Sequence, residues 1–170
     1  MKMTMFEKNM HCKRSTFTAL AVASLVVLSG CEFGKKKEKE PTLIVVNVLA
    51  KELYDDCHIP GSIQVDFDKV SDVAKEWPKS AKIVIYCANY SCTASASAAR
   101  NLKAQGFDAY EYAAGTAGWL QAGLPVVGKA ESPYLHQENE QHSESMIDVP
   151  MVSTEELKQL LDKEESVGKK

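Results

Sequence analysis

Apolar residues along this chain follow two spacings, one typical of strands and one typical of helices. Strand-like apolar runs, rich in β-branched residues or alternating with polar ones, occupy four segments: 42–49, 63–67, 83–87 and 109–112. Helical spacing or helix-forming composition marks the segments between and after them: 51–55, 70–77, 94–105 and 114–122. The first and third strand-like runs are apolar at nearly every position, as in a parallel sheet buried on both faces. The alternation of strands and helices predicts an α/β fold with a central, mainly parallel sheet flanked by short helices.

A separate amphipathic segment occupies 149–170 and predicts a short strand followed by a helix. Ser153 is the expected N-cap and Glu156 its capping-box partner, and apolar residues follow at 157, 160 and 161. Residues 129–148 between this segment and the α/β part are mostly polar and predict a solvated linker.

The first thirty residues have the layout of an export signal. Lys13 and Arg14 precede an uncharged, apolar run at 15–30, which is too short to cross a bilayer comfortably. The run ends in Leu-Ser-Gly followed by Cys31, which resembles the lipobox of bacterial lipoproteins. The resemblance implies that Cys31 is lipidated and becomes the first residue of the mature protein, although an ordinary signal peptide is the alternative. The start codon is either Met1 or Met10.

These features predict a lipid-anchored protein of the bacterial cell envelope. A charged tether at 31–41 would connect the lipid to the folded domain, which would face the periplasm or the exterior. Glu32 rather than Asp after Cys31 favours the outer membrane, by analogy with enteric bacteria. Without residues 1–30 the chain has 16 basic and 22 acidic residues, a net charge of −6, and no basic face that indicates a nucleic-acid partner.

Cys87 is the candidate nucleophile. It ends the strand-like run at 83–87 and is followed by a polar loop, and then by the alanine-rich helix that begins near Ala94. Loop amides and the positive end of a helix dipole favour an ionised thiol at such a position. The alternative is a buried, unreactive thiol that ends a core strand. The candidate active-site loop comprises Ala88, Asn89, Tyr90, Ser91, Cys92 and Thr93.

Residues 42–128 resemble the rhodanese-like domain through four motifs in the same order and at similar intervals. They are the His-Ile-Pro-Gly-Ser turn at 58–62 with Tyr54 upstream, the strand 83–87, the helix positions Ala98, Ala99, Leu102, Gly106 and Phe107, and the Ala-Gly pair at 114–115 followed by Trp119. The resemblance implies a three-layer fold and a sulfurtransferase that needs no cofactor. It also implies that Cys87 takes up a sulfane sulfur as a persulfide and passes it to a thiol or another thiophilic acceptor. The expected small partners are therefore a sulfur-containing anion and a thiol acceptor. The sequence names no protein partner.

The chain departs from the family pattern in and near the loop. Cys92 stands where common members have Arg, and residues 87–99 contain no Lys or Arg to bind an anionic donor. The loop is about two residues longer, as in related phosphatases, but Thr93 replaces the Arg that those enzymes require. Asn47 and Leu49 replace an Asp and an Arg that form a supporting charge pair.

The departures leave two further hypotheses. Cys92 lies close enough in sequence to resolve an oxidised or persulfidated Cys87, which would make the protein a thiol–disulfide redox protein; alternatively Cys92 is a small core residue. The domain could also be a catalytically inactive binding module. Cys57 is either a third redox partner or a small core residue.

The remaining candidate side chains predict structural roles. His58 is expected to stabilise a turn, and His136 and His142 to lie in the solvated linker. No Cys or His spacing indicates a metal site. Trp119, Tyr110 and Tyr112 are expected in the core. The N-terminal strand and helix of other rhodanese-like domains are absent before residue 42, and we expect 149–170 to fill that place, as in a circular permutation.

Overall fold

The computed structural model describes residues 42–139 and 149–168. A four-stranded sheet forms the centre, and its strands are β1 (Leu43–Asn47), β2 (Ile63–Gln64), β3 (Lys82–Tyr86) and β4 (Asp108–Tyr112). The strand order is β2-β1-β3-β4, and all neighbouring strands are parallel. The proposed export signal, Cys31, the tether and His142 lie outside the described residues.

The register of the sheet brings three strand ends to one edge. Asn47 at the end of β1 pairs with Tyr86 at the end of β3, which in turn pairs with Tyr112 at the end of β4. The loops that follow these strands therefore start side by side. In open α/β sheets, this carboxyl edge is where binding sites form.

Helices cover both faces of the sheet. They are α1 (Lys51–Asp56), α2 (Val70–Val73), α3 (Ala94–Ala104), α4 (Gly115–Gln121) and α5 (Thr154–Gly168), with short 3-10 turns at Phe67–Lys69, Ala74–Glu76 and Pro133–His136. Successive strand residues point to opposite faces. On β3, Ile83 and Ile85 pack with α2 and α3, whereas Val84 and Tyr86 pack with α4 and α5. The α/β fold with a parallel sheet between two helical layers is thus confirmed.

Residues 63–77 form shorter elements than the sequence pattern predicted. The strand predicted at 63–67 keeps only two residues, and the helix predicted at 70–77 is divided into α2 and two flanking 3-10 turns. Tight hydrogen bonds from Lys69 N to Asp66 O and from Trp77 N to Ala74 O close these turns. The chain must return from β2 to the start of β3 within few residues, and 3-10 turns make this connection compact.

The C-terminal segment packs against β4. Glu111 N donates to Pro150 O and Val152 N donates to Glu111 O, both at 2.9 Å, so residues 150–152 form a short parallel bridge along the edge of β4. Val152 and Leu157 are buried in the cluster of the α4 and α5 face, and Val149 is buried on the α3 face.

The capping box of α5 is confirmed. Ser153 N donates to Glu156 Oε2 at 2.8 Å, and Glu156 N donates to Ser153 Oγ at 3.1 Å. In the part of the chain that the structure describes, none of the helices has the length and apolarity to cross a bilayer.

The prediction of a solvated linker is wrong for residues 129–139. Leu135 is fully buried against Cys57 and Ala117, because the 3-10 turn at Pro133–His136 packs on α4. Asp56 holds the start of this stretch by accepting hydrogen bonds from the backbone of Glu131 and Ser132. Leu135, with the partly buried Ala130 and Tyr134, packs this mostly polar segment against the domain. His136 is exposed, with its Nε2 2.8 Å from Ala130 O.

Candidate functional site

Cys87 lies directly after β3 at the carboxyl edge of the sheet, and its side chain is fully buried. The loop of residues 88–93 follows, and α3 begins at Ala94. The predicted strand–cysteine–loop–helix arrangement is therefore present. It places the sulfur near the N-terminus of an eleven-residue helix, whose dipole favours a negative charge.

A disulfide bond joins Cys87 to Cys92 within this loop. Their Cα atoms are 6.4 Å apart, which lies within the usual range for a disulfide. Cys92 is partly buried and packs against the core cluster that contains Cys87. The structure therefore brings together the two sulfur atoms that the sequence singled out.

Internal acceptors take up the amides of the loop. Tyr90 N donates to the side chain of Asn139 at 3.0 Å, Ser91 N to the side chain of Asn89 at 3.2 Å, and Cys92 N to the carbonyl of Asn89 at 3.1 Å. These three N–H groups are therefore not directed at an anion next to Cys87. In the disulfide form the loop is closed on itself.

The start of α4 supports the loop from the side of β4. Thr116 donates to the carbonyl of Cys87 through its amide at 3.0 Å and its hydroxyl at 3.2 Å, and Ala117 N donates to Ala88 O at 2.9 Å. Gly115 has a φ of +61°, and a Cβ there would lie 2.6 Å from the backbone of Ala88. Glycine is required at this position because both its conformation and the close approach exclude a side chain.

Asn139 is a site residue that the sequence did not reveal. Its Oδ1 accepts from Tyr90 N, and its Nδ2 donates to Ala114 O at 2.9 Å. It therefore connects the loop after β3 to the turn before α4. No local pattern marks this residue, since it lies in a polar stretch 49 positions from its partner Tyr90.

A buried carboxyl group lies behind the cysteine. Ser95 Oγ is 3.3 Å from Cys87 Sγ and donates to Glu111 Oε1 at 2.8 Å. Ser95 is fully buried and Glu111 is 4% exposed. Burial raises the pKa of Glu111 above its ordinary value, although the hydrogen bonds from Ser95 and Ala96 N and the charge of Arg100 act in the opposite direction. The sequence carried one signal for this site, an acidic residue within the apolar strand 109–112.

The turn at residues 58–62 is held by aromatic side chains. The rings of His58 and Tyr54 stack with their centroids 3.8 Å apart, and His58 Nδ1 donates to Tyr54 O at 2.7 Å. Tyr54 also donates to Ser62 O, and the Tyr86 hydroxyl accepts from Ile59 N at 3.1 Å. The structural role predicted for His58 is therefore confirmed.

Cys57 differs from the two loop cysteines in its bonding. It is fully buried and not part of a disulfide, and burial raises the pKa of its thiol to about 11. Such a thiol is a poor nucleophile, which favours the interpretation as a small core residue. Nowhere in 42–139 or 149–168 do three or more Cys, His, Asp or Glu side chains cluster as metal ligands would.

The predicted core aromatics lie on or near β4. Tyr112 and Trp119 are buried and meet edge to face at 6.1 Å, and the Trp119 indole donates to Pro125 O at 2.8 Å. Tyr110 is half-buried and carries the Lys82 ammonium 3.8 Å above its ring.

An open groove of about 360 Å³ lies beside the loop. Tyr90 and Tyr112 form part of its wall, and residues 151–156 of the C-terminal segment form much of the rest. The loop that carries the cysteines thus borders a space large enough for a small molecule.

Comparisons with known proteins identify the family. The family model of the rhodanese-like domain matches residues 32–122, more than half of the 170-residue chain. The search of curated proteins finds no match.

Among solved structures, the BH2092 protein from Bacillus halodurans is 31% identical with a TM-score of 0.49, over 56% of this chain and 69% of that one. The rhodanese-like domain of a protein from Anabaena sp. is 27% identical with a TM-score of 0.46, over 51% and 88% of the two chains. A rhodanese with anions from E. coli is 22% identical with a TM-score of 0.43, over 51% and 99%. On the strength of the family model, this chain belongs to the rhodanese-like domain family.

Proposed function

We propose that the protein handles sulfane sulfur through a persulfide on Cys87. The observation that carries the proposal is the position of this cysteine, at the carboxyl end of the central strand β3 and next to the N-terminus of α3. A thiolate at such a point is stabilised by the helix dipole. Tyr90, in the loop that follows Cys87, lines the neighbouring groove together with Tyr112.

The chemistry balances with a persulfide or polysulfide donor. The Cys87 thiolate attacks the outer sulfur of R–S–SH, and the donor's S–S bond breaks. RS⁻ leaves, and Cys87 becomes a persulfide. An acceptor thiolate then attacks the outer sulfur of this persulfide and restores Cys87. A donor of low charge suits the site, since residues 87–99 contain no cation and the amides of Tyr90, Ser91 and Cys92 already have acceptors.

A second candidate function, thiol–disulfide exchange, is favoured by the disulfide between Cys87 and Cys92. In this function the reduced pair attacks a substrate disulfide and is itself oxidised, while the substrate is reduced to two thiols. The two functions share an intermediate step, because Cys92 can attack the inner sulfur of a Cys87 persulfide, release HS⁻ and close the same disulfide. A dithiol reductant would then reopen it.

Intact-mass and peptide mass spectrometry distinguish these functions. After reduction and treatment with polysulfide, sulfur handling gives a gain of about 32 Da on Cys87, one sulfur atom. Cys87→Ser should abolish the gain, Cys92→Ser should let the persulfide accumulate, and the matched control Cys57→Ala should behave as the parent protein does. A loss of about 2 Da on mild oxidation, mapped to Cys87 and Cys92, with no sulfur gain would favour thiol–disulfide exchange. If neither mass change occurs, the result favours the inactive binding module.

We further propose that the protein is anchored to the bacterial cell envelope by lipid on Cys31. The support is the sequence of residues 13–31, with its basic start, apolar run and lipobox-like end. Growth with a labelled fatty acid should label the protein, and Cys31→Ala should abolish the label. A labelled Cys31→Ala variant would contradict the proposal.

A further inference from the structure

The group behind Cys87 is a carboxyl, where an anion-binding site would place a cation. Glu111 projects from β4 into the same buried region as the sulfur, and Ser95 on the first turn of α3 lies between them. Ser95 Oγ lies 3.3 Å from Cys87 Sγ and 2.8 Å from Glu111 Oε1. These two contacts set an upper limit on the distance between the sulfur and the carboxylate oxygen. At that separation, in a buried site, two negative charges disfavour each other strongly.

We propose that Cys87 and Glu111 share one proton through the hydroxyl of Ser95, which makes Glu111 the positioning residue that controls ionisation of the thiol. The inference rests on the proposed function only in taking Cys87 as the reactive thiol.

The hydroxyl of Ser95 can serve both protonation states because it can donate to either side. In the disulfide form Ser95 donates to Glu111, and its oxygen lies 3.3 Å from Cys87 Sγ. In the reduced protein with Glu111 ionised, Ser95 would keep this bond and accept the thiol proton of Cys87. When Glu111 is protonated, its O–H donates to Ser95 and Ser95 donates to the Cys87 thiolate. The exchange is balanced, since the thiol loses the proton that the carboxylate gains and Ser95 remains neutral throughout.

The surroundings of Glu111 keep the proton within this group. Its backbone N–H donates to Pro150 and its C=O accepts from Val152, so residues 150–152 cover the edge of β4 at this point. Glu111 is 4% exposed. Three polar or charged groups of α3 act on the carboxyl of Glu111: the hydroxyl of Ser95, the N–H of Ala96 and the guanidinium of Arg100. Burial raises the pKa of Glu111 and so favours its protonated form, which the proposal requires when Cys87 is a thiolate.

The shared proton serves both directions of the sulfur chemistry. When Cys87 attacks, Glu111 takes the thiol proton through Ser95; when Cys87 is the leaving group of a persulfide or disulfide, Glu111 returns it. This arrangement provides the general acid and general base without a histidine, and it is buried from solvent.

The test is the pH dependence of Cys87 alkylation in the full, reduced chain. Pulses of iodoacetamide followed by peptide mass spectrometry report Cys87, Cys92 and Cys57 separately, so no background substitution is needed. Glu111→Gln removes the negative charge and should lower the apparent pKa of Cys87 by about one unit, a roughly tenfold higher rate below that pKa. Ser95→Ala removes the hydroxyl that donates to the thiolate and should raise the apparent pKa.

Two matched controls lie on the same elements. Asp108→Asn changes an exposed carboxylate on β4, and Ser97→Ala changes another serine of α3; both should leave the profile unchanged. Shifts of opposite sign from Glu111→Gln and Ser95→Ala support the shared proton, since a loss of folding alone would move both profiles in the same direction. An unchanged or raised pKa in Glu111→Gln, or an unchanged profile in Ser95→Ala, overturns it.

The shared proton and the proposed function can be refuted independently of each other. If the parent chain gains sulfur on Cys87 but Glu111→Gln does not shift the alkylation profile, only the shared proton is wrong. If the profile shifts as expected but Cys87 neither gains sulfur nor exchanges disulfides, only the proposed function is wrong. Should Glu111→Gln fail to fold, Ser95→Ala still tests the connection, because it leaves the carboxyl in place.

Discussion

Leu157→Ala tests whether the C-terminal helix α5 is part of the folded domain's core. Leu157 is fully buried on the α4 and α5 face of the sheet, in a cluster that includes Val45, Ile59 and Trp119. Truncating a fully buried leucine removes its transfer free energy and leaves a cavity, which together cost about 2–5 kcal/mol. Since residues from β1, α4 and the turn before β2 surround the site, the cavity cannot collapse easily, and we expect a cost of about 3 kcal/mol.

The assay is urea unfolding followed by tryptophan fluorescence, since Trp119 lies in the same cluster. A loss of about 3 kcal/mol is a large part of the 5–15 kcal/mol that stabilises a typical domain. It should lower the melting temperature by roughly 10–15 °C for a domain of this size. Gln159→Ala, an exposed position on the same helix, should change the free energy of unfolding by less than about 0.5 kcal/mol.

The reasoning is refuted if Leu157→Ala and Gln159→Ala unfold at the same urea concentration. That result would mean that packing of α5 adds little to the free energy of unfolding and that residues 149–168 are not part of the folded core. Deleting residues 149–170 gives an independent check, because it also removes the buried Val149 and Val152. The deletion should destabilise the domain more than Leu157→Ala does.

Three further substitutions test the site and its supports. Gly115→Ala should cost about 1–3 kcal/mol and weaken closure of the Cys87–Cys92 loop, because φ is +61° and the new Cβ would meet the Ala88 backbone; urea unfolding and the rate of loop disulfide formation measure both effects. Tyr86→Phe leaves the buried Ile59 N–H without its acceptor and should cost about 1–3 kcal/mol in the same unfolding assay. Burial raises the pKa of Glu111, so its carboxyl favours the folded state below the pKa of the unfolded chain, and this contribution is lost as the pH rises through the folded pKa. Glu111→Gln removes that loss, so its melting temperature relative to the parent should rise as the pH increases from the ordinary pKa of a carboxyl through the raised folded-state pKa of Glu111; a constant difference would contradict the assignment.

Local sequence patterns predicted the elements that carry the site. The apolar runs at 42–49 and 83–87 contain β1 and most of β3, because strands buried on both faces favour apolar residues at nearly every position. The capping box of α5 was also predictable, since the side chains of Ser153 and Glu156 bond to each other's backbone N–H within three residues. The segment 63–77 was less predictable, because short elements are decided by the length of the connection they must make.

The two cysteines of the candidate site were predictable from the sequence, whereas the residues that contact the loop and α3 from distant parts of the chain were not. Cys87 and Cys92 are close in sequence, so a tight loop brings their sulfurs together. Asn139 meets Tyr90 across 49 positions, and Glu111 meets Ser95 across 16. Such contacts depend on the order and register of the strands, which a local pattern does not contain.

The sequence by itself determined the α/β class, the family and the position of the candidate nucleophile, because periodicity, capping and spaced motifs are encoded over short stretches of chain. Only the tertiary structure decided what surrounds the sulfur. Parallel pairing of β3 with β4 puts a carboxyl group behind Cys87, the packing of 129–139 puts Asn139 on the loop, and the return of 149–168 seals the edge of β4. Each of these depends on burying apolar surface that only the assembled sheet provides.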